Sequence, residues 1–389
     1  MRILIHAVSA HDMGGAARHL AGFLRELTRV GREHEYWLYI NEQLCLEPLP
    51  ANFHVQQLPV QSGAGRLWWD QFTLPRLIKQ NRADLVLALL SFGCARPSCP
   101  QITFLRNAIH CPHYMLDLSG IQRLEVRVRR YFLYRTLRAS RLIITPSAAI
   151  RDTVREAHSD LPLERFRVLP HAFDRRLFQA SEELPPGVSE ALPAERTPDT
   201  IRLLYVGHIL PYKGFNTVLE TVGLLASQEI KFKLYLTIAR ENWPAGFDRW
   251  VGEVSRLRLS DHVVVLGRIP TNSTSHLYDR CDILVFPSLC ETFGWPIIEA
   301  MSRNLPIIAA DTALNREMAG GAALYYSPFD AHAAAEAITR LILDPEERRR
   351  LGEVGRRRAD AHIGWDEYVR TVLDSCADAV PKANPVISN

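Results

Sequence analysis

Along this chain, short apolar runs alternate with segments whose apolar positions recur at helical spacing. In the first half the runs are RILIHAV (2–8), EYWLYI (35–40), FHVQQLPV (53–60), DLVLALL (84–90), QITFLR (101–106), RLIITPS (141–147) and FRVLPH (166–171). In the second half they are IRLLYVG (201–207), FKLYLTI (232–238), HVVVLG (262–267), DILVFPS (282–288), LPIIAA (305–310) and AALYYS (322–327). Many are continuously apolar rather than alternating, which predicts parallel strands covered on both faces. Between them, Leu20, Phe23, Leu24 and Leu27 fall at i, i+3, i+4 and i+7, and Gly31 supplies a stop. Val218, Leu219, Val222 and Leu225 repeat the pattern. Strand–helix alternation twice over predicts two doubly wound α/β domains.

The boundary shows as a change in composition. SEELPPGVSEALPAERTPDT (181–200) is rich in Pro, Glu and Ser and has no periodicity, so it reads as a linker or surface excursion. The expected organisation is a first domain over 1–180, this linker, a second domain over 201–363, and a terminal segment over 364–389. That segment holds a helix, GWDEYVRTVLDSCADAV (364–380), which can pack back on the first domain, and a frayed tail. A length of 389 residues also exceeds what one core usually serves.

Composition is that of a soluble globular protein, 47% apolar and 23% charged. No apolar stretch approaches the roughly 18 residues of a membrane span. The opening MRILIHAVSA lacks the basic region and cleavage site of a leader and reads as a first strand. Seven cysteines, at 45, 94, 99, 111, 281, 290 and 376, form no CxxC pair. Neither a disulfide framework nor a metal site is expected from them, which fits a reducing cytoplasm. Net charge is only +3, yet residues 1–175 carry 23 Lys and Arg against 15 Asp and Glu. The basic first half can face phosphates, anionic lipid or an acidic acceptor.

Three stretches are candidates for chemistry. Gly14 and Gly15 lie between the first strand and first helix, where glycine lets backbone approach a ligand and a helix N-terminus favours an anion. A tight strand–helix turn accounts for the pair equally well. In LLYVGHILPYKGFNTVLE (203–220), Lys213 stands past a strand end and beside a helix start, a position suited to a diphosphate, and His208 shares the loop. The third is ETFGWPIIEA (291–300). Pro296 fits the first position of a helix, which places Glu291 in the loop and Glu299 near the helix start. Carboxylates there accept hydrogen bonds from sugar hydroxyls, and the amides of Thr292 to Trp295 donate to phosphate. Helix-dipole preference alone explains Glu299, but not Glu291, Gly294 and Pro296 together.

ETFGWPIIEAMSRNLPIIAA, an E-x7-E pattern, resembles the signature of retaining GT-B glycosyltransferases of family 4, the glycosyl transferases group 1. The likeness continues in order through the glycines at 14–15, HAFDRRLF (171–178), YVGHILPYKG (205–214), LGRI (266–269) and NREMAGGAALYYSPFD (315–330). It implies a GT-B fold, two Rossmann-like domains facing each other across a cleft. By position, Gly14 and Gly15 would approach the donor diphosphate and Lys213 would bind it. Glu291 would bind hydroxyls of the transferred sugar, with Thr292, Phe293, Gly294 and Trp295 lining sugar and phosphate. Glu299 would hold the ribose, and Arg268 and Ile269 would lie against the base. His208 stands where the family commonly has arginine, which weakens the diphosphate grip or makes it depend on pH. A first-domain histidine near the sugar is His110, with His113 and Asn107 competing. The expected catalytic set is Glu291, His110 and Lys213.

The resemblance implies transfer of a hexosyl residue with retention, from a GDP-, UDP- or dTDP-linked donor to a glycan or lipid-linked oligosaccharide. The setting would be bacterial lipopolysaccharide, O-antigen, capsule or exopolysaccharide synthesis. Glu291 is expected to bind the sugar, not to act as a covalent nucleophile. No D-x-D occurs, so neither metal nor cofactor is expected, and Lys213, helix N-termini and loop amides must meet the leaving-group charge. IQRLEVRVRRYFLYRTLRASR (121–141) carries seven arginines and one glutamate. Leu124, Val128, Phe132 and Leu133 would be its buried or membrane-facing side, so the protein is expected in the cytoplasm or on the inner face of an anionic membrane. A solvated helix face remains the competing reading. RLWWDQFTLP (66–75) reads as aromatic core under a loop or as part of the acceptor side. Nucleic-acid binding is disfavoured because the arginines lack interleaved aromatic platforms. A nucleotide-sugar epimerase or hydrolase on the same fold, or a degenerate nucleotide-sugar-binding protein, are the alternatives.

Overall fold

The structure, a computed structural model, describes residues 1–8, 15–44, 46–59, 63–106, 120–179, 182–197, 199–228 and 230–381. Each of the thirteen apolar runs forms a strand. In the first sheet these are β1 (Arg2–Ala7), β2 (Glu35–Asn41), β3 (Phe53–Leu58), β4 (Leu85–Ala88), β5 (Gln101–Phe104), β6 (Leu142–Thr145) and β7 (Phe166–Val168). In the second they are β8 (Ile201–Tyr205), β9 (Phe232–Leu236), β10 (Val263–Val265), β11 (Ile283–Phe286), β12 (Ile307–Ala310) and β13 (Ala323–Tyr326). Strand order is β3-β2-β1-β4-β5-β6-β7 in one sheet and β10-β9-β8-β11-β12-β13 in the other. Pairing is parallel in both sheets. These are the two Rossmann-like folds expected of a GT-B protein.

The continuous apolar runs follow from burial of both sheet faces. Alternate residues of β1 point to opposite sides. Ile3 and Ile5 join a core with Leu20, Phe23 and Leu27 of the helix Gly15–Val30. Leu4 joins a second core with Leu74 and Ile78. In the other sheet, Leu203 and Tyr205 pack with Val218, Val222 and Leu225 of the helix Phe215–Ser227.

The chain divides into two compact units. Among the described residues, Phe173–His362 belong to one, and those of 1–106 and 120–172 join the segment from Ile363 onward in the other. The terminal helix, Trp365–Ala379, belongs to the core of the first unit. Its Trp365 ring lies where a Cβ on Gly22 would sit, 2.2 Å away, so the two helices meet at a residue without a side chain. Its Tyr368 hydroxyl lies 2.9 Å from Nε2 of His19.

The segment 181–200 reads in the sequence as a linker or surface excursion. It contains a helix, Pro186–Ala191, and the division between units falls before it, at Phe173. Arg202 donates to the Pro193 carbonyl at 2.6 Å and to the Glu195 carbonyl, and Arg280 donates to the Leu192 carbonyl at 2.8 Å. Two guanidinium groups of the second unit thus capture backbone carbonyls that have no apolar periodicity to reveal them. Among the described residues, no helix is long and apolar enough to cross a membrane.

Candidate functional site

Each sheet reverses its strand order once. The reversal lies between β1 and β4 in the first unit and between β8 and β11 in the second. At such a point the chain leaves neighbouring strands in opposite directions, which opens a crevice at their carboxyl ends. The loops carrying Lys213 and Glu291 leave β8 and β11, on either side of that point in the second unit.

Backbone contacts hold the two loops together. Leu289 N–H donates to the Tyr212 carbonyl at 3.0 Å. Gly214 has φ +71°, and a Cβ there would lie 2.4 Å from the Pro287 carbonyl oxygen. Only glycine meets both demands, a left-handed backbone and a near-contact with the neighbouring loop. The consequence is a direct ion pair between Lys213 Nζ and Glu291 Oε1, with both side chains largely buried. Tyr205, at the end of β8, donates its hydroxyl to the His208 carbonyl at 2.9 Å. Burial, and next the negative charge of Glu291, push that phenol well above its ordinary range, so it stays a donor. The His208 side chain is exposed.

Beyond Glu291, Gly294 takes φ +78° and caps the helix Trp295–Ser302, so Pro296 is its second residue rather than its first. That position still tolerates proline, because the first turn needs no N–H partner within the helix. The side chain of Phe293 is buried, packed on Trp295 at 5.1 Å and on His362 at 5.7 Å. It belongs to the core, so only its backbone can serve a ligand. Glu299 is the fifth residue of the helix, beyond the first turn, and is 4% exposed. The dipole preference for acids in a first turn therefore does not account for it. Instead the buried Tyr278 hydroxyl donates to its Oε2 at 2.6 Å.

Arg268 and Ile269 follow β10, two strands from β8, with Gly267 at φ +74° before them. Arg268 is exposed and Ile269 buried. Gly15 is the first residue of the helix that follows β1. Gly14, Asn107, His110 and His113 lie outside the described residues. Among the described residues, no group of three or more His, Cys, Asp or Glu side chains can hold a metal ion. Cys94, Cys99, Cys281 and Cys376 are free thiols, whereas Cys290 is disulfide-bonded, a pairing that the absence of a CxxC pattern does not lead one to expect. Sequence spacing carries no information about cysteines that folding alone brings together.

Sequence reasoning missed two supports. Asn315 Nδ2 donates to the Ser288 and Ala310 carbonyls, at 3.1 and 2.8 Å, and ties the loop after β11 to the end of β12. Asn315 opens the motif NREMAGG, which was a signal. Tyr278 had none, since it reads as one apolar position of a short helix.

On the basic helix, Gly120–Ala139, Ile121, Leu124, Val128 and Tyr131 are exposed at 83%, 61%, 39% and 54%. Leu133 is fully buried. Of the four apolar residues expected on one side, Leu124 and Val128 face solvent, Phe132 is half-buried and Leu133 lies in the core.

Residues 192–358 match the family model described as glycosyl transferases group 1, and residues 13–177 match glycosyltransferase family 4. The O-antigen chain mannosyltransferase RfbU of Salmonella typhimurium is 24% identical over 66% of this chain and 68% of its own length. The chain spans about half the length of several further curated relatives. Among solved structures, sucrose-phosphate synthase of Thermosynechococcus elongatus superposes with a TM-score of 0.74 at 19% identity, covering 97% of this chain and 98% of that one. HepE of Anabaena, in complex with UDP and glucose, superposes with a TM-score of 0.71 at 17% identity, covering 97% and 99%.

Proposed function

The chain belongs to glycosyltransferase family 4, its second half being of the glycosyl transferases group 1 type, and from that premise we propose that it moves a hexosyl residue from a nucleotide-diphosphate sugar to a glycan or lipid-linked acceptor. The observation that carries the reading is the meeting of Lys213 and Glu291 at the strand-order reversal of the second unit. A cation and a carboxylate held side by side suit a ligand that is a diphosphate at one end and a polyol at the other. The similarity to an O-antigen mannosyltransferase and to a protein that binds UDP and glucose supports a nucleotide-sugar donor and a role in surface polysaccharide synthesis.

In this mechanism Lys213 and the N-terminus of the helix Trp295–Ser302 take up the charge that develops on the departing diphosphate. Glu291 accepts hydrogen bonds from the hydroxyls of the transferred sugar. Tyr278 holds the Glu299 carboxylate in place as the ribose partner. Gly14 and Gly15 approach the diphosphate, Arg268 and Ile269 flank the base, and His110, or Asn107 or His113, faces the sugar. The bond from the anomeric carbon to the phosphate oxygen breaks, and its electron pair leaves with the diphosphate. The acceptor oxygen bonds to the same face, and its proton passes to the departing phosphate. The anomeric configuration is thereby retained.

The exposed stripe Ile121, Leu124, Val128 and Tyr131, flanked by arginines, suits an anionic membrane where a lipid-linked acceptor would be presented.

Incubation with UDP-, GDP- and dTDP-sugars and a lipid-linked acceptor should release nucleoside diphosphate with one donor class. NMR of the product should show the donor's anomeric configuration. An inverted product rules out the retaining route, and no acceptor-dependent release with any donor rules out the transfer reading.

A further inference from the structure

Arg106 follows β5 and His171 follows β7, so both stand at the carboxyl edge of the first unit's sheet. Nη2 of Arg106 lies 3.3 Å from Nε2 of His171. The His171 ring meets His19 edge-on at 4.7 Å, and both histidines are buried. The Arg106 backbone N–H donates to Ser91 Oγ at 2.8 Å, which fixes the root of its side chain. Ser91 lies in the loop after β4, the strand beside the first unit's order reversal.

The cluster holds a guanidinium and two imidazoles, and among the described residues no carboxylate pairs with Arg106. Burial lowers the guanidinium to about 10, and among the described residues the Tyr368 phenol acts against that. Burial, then Arg106, then His171 hold His19 well below its ordinary range, so it is neutral. Arg106 is half-buried, and a guanidinium withdrawn in part from water is poorly compensated where no carboxylate among the described residues faces it. It stands at the ligand-binding edge of a parallel sheet, where a guanidinium suits an anionic ligand.

We propose that Arg106, oriented by His171, binds an anionic group of the acceptor, a phosphate or a carboxylate. The planar guanidinium fork matches either one. The assignment to the acceptor rests on the proposed transfer reaction, in which Lys213 and Glu291 of the second unit serve the donor.

Thermal unfolding of the full chain in rising inorganic phosphate, at constant ionic strength in chloride, tests the site without need of turnover. The wild type should show a saturable rise in Tm. At phosphate about tenfold above the midpoint, linkage gives about 1.4 kcal/mol, roughly 3–6 °C. Arg106→Gln should lose this rise while being at least as stable as wild type in chloride. Arg106→Lys should keep it with a weaker midpoint. Equal rises in wild type and Arg106→Gln, or none in wild type, overturn the site. Binding of UDP and GDP separates the sources of the anion. Unchanged nucleotide affinity in Arg106→Gln supports the acceptor, and a loss of about tenfold or more overturns that assignment in favour of the donor. Because phosphate binding and sugar transfer are read separately, either can fail alone.

Discussion

Lys213 and Glu291, 78 residues apart, form an ion pair between the loops that leave two hydrogen-bonded neighbours, β8 and β11. Their side chains are 13% and 17% exposed, so neither charge is freely solvated. Each group therefore positions the other before a donor arrives. Removing one leaves the other as a poorly solvated charge with no partner.

Glu291→Ala and Lys213→Ala should each lower kcat/KM by about 10²–10³, the scale of losing one aligned charge at a developing transition state. Because the groups are partners, the double variant should lose far less than the product of the two single losses. Steady-state nucleoside diphosphate release measures all three. Wild-type turnover in both single variants would remove the pair from the site.

Gly214→Ala introduces a Cβ 2.4 Å from the Pro287 carbonyl and forces alanine to φ +71°. It should destabilise the protein by about 1–3 kcal/mol. The loops should also part enough to weaken nucleotide binding several-fold. Urea unfolding and calorimetric titration with the active nucleotide read the two effects separately. An alanine variant with wild-type values for both would show that the loops do not depend on this contact.

Tyr278→Phe removes the donor to the buried Glu299 carboxylate and should lower stability by about 1.5–3 kcal/mol, the range for a hydrogen bond to a charged group. Nucleotide affinity should fall with it, because the ribose partner is less firmly fixed. Glu299→Ala should weaken nucleotide binding more strongly than Tyr278→Phe does. Equilibrium unfolding and titration with nucleotide give both numbers, and nucleotide affinities unchanged in both variants would detach Glu299 from the ribose.

Acid should destabilise the first unit. Burial lowers the pKa of His6, and lowers that of His19 well below the ordinary 6.5. The unfolded chain therefore binds protons near pH 6.5 that the folded chain refuses. The stability these groups contribute is fully present above about pH 6.5 and is lost as pH falls from there toward their folded values. Each such proton gives a slope of about 1.4 kcal/mol per pH unit. Tm measured from pH 7.5 to 5.5 should fall, and His19→Gln should flatten the curve. An unchanged slope in that variant would exclude His19 as a source.

The wild type should sediment with anionic liposomes and not with neutral ones, in a salt-sensitive manner. Arg127→Glu with Arg130→Glu should reduce binding by charge, and Leu124→Ser by loss of the apolar stripe. No liposome binding by the wild type would reduce the helix to a solvated face.

By itself the sequence determined the strands, their parallel sense and the division into two units of doubly wound type. Continuous apolar runs such as LIIT at β6 and ILVF at β11 are a local consequence of burial on both faces, so a local pattern records them. It also carried Lys213, Glu291 and Glu299 as candidates, because their positions after strands and around a helix start are local too. Tertiary structure alone decided which of these groups meet. That β11 lies beside β8, and not beside β10, which precedes it in the chain, is a matter of sheet order. Only that order brings Lys213 to Glu291. Likewise only folding brings Tyr278 to Glu299, Arg106 to His171, and the carbonyls of 192–195 to Arg202 and Arg280. Polar contacts of this kind have no period along the chain. They depend on which surfaces the buried apolar faces have already pressed together, and so they become visible only once that packing is known.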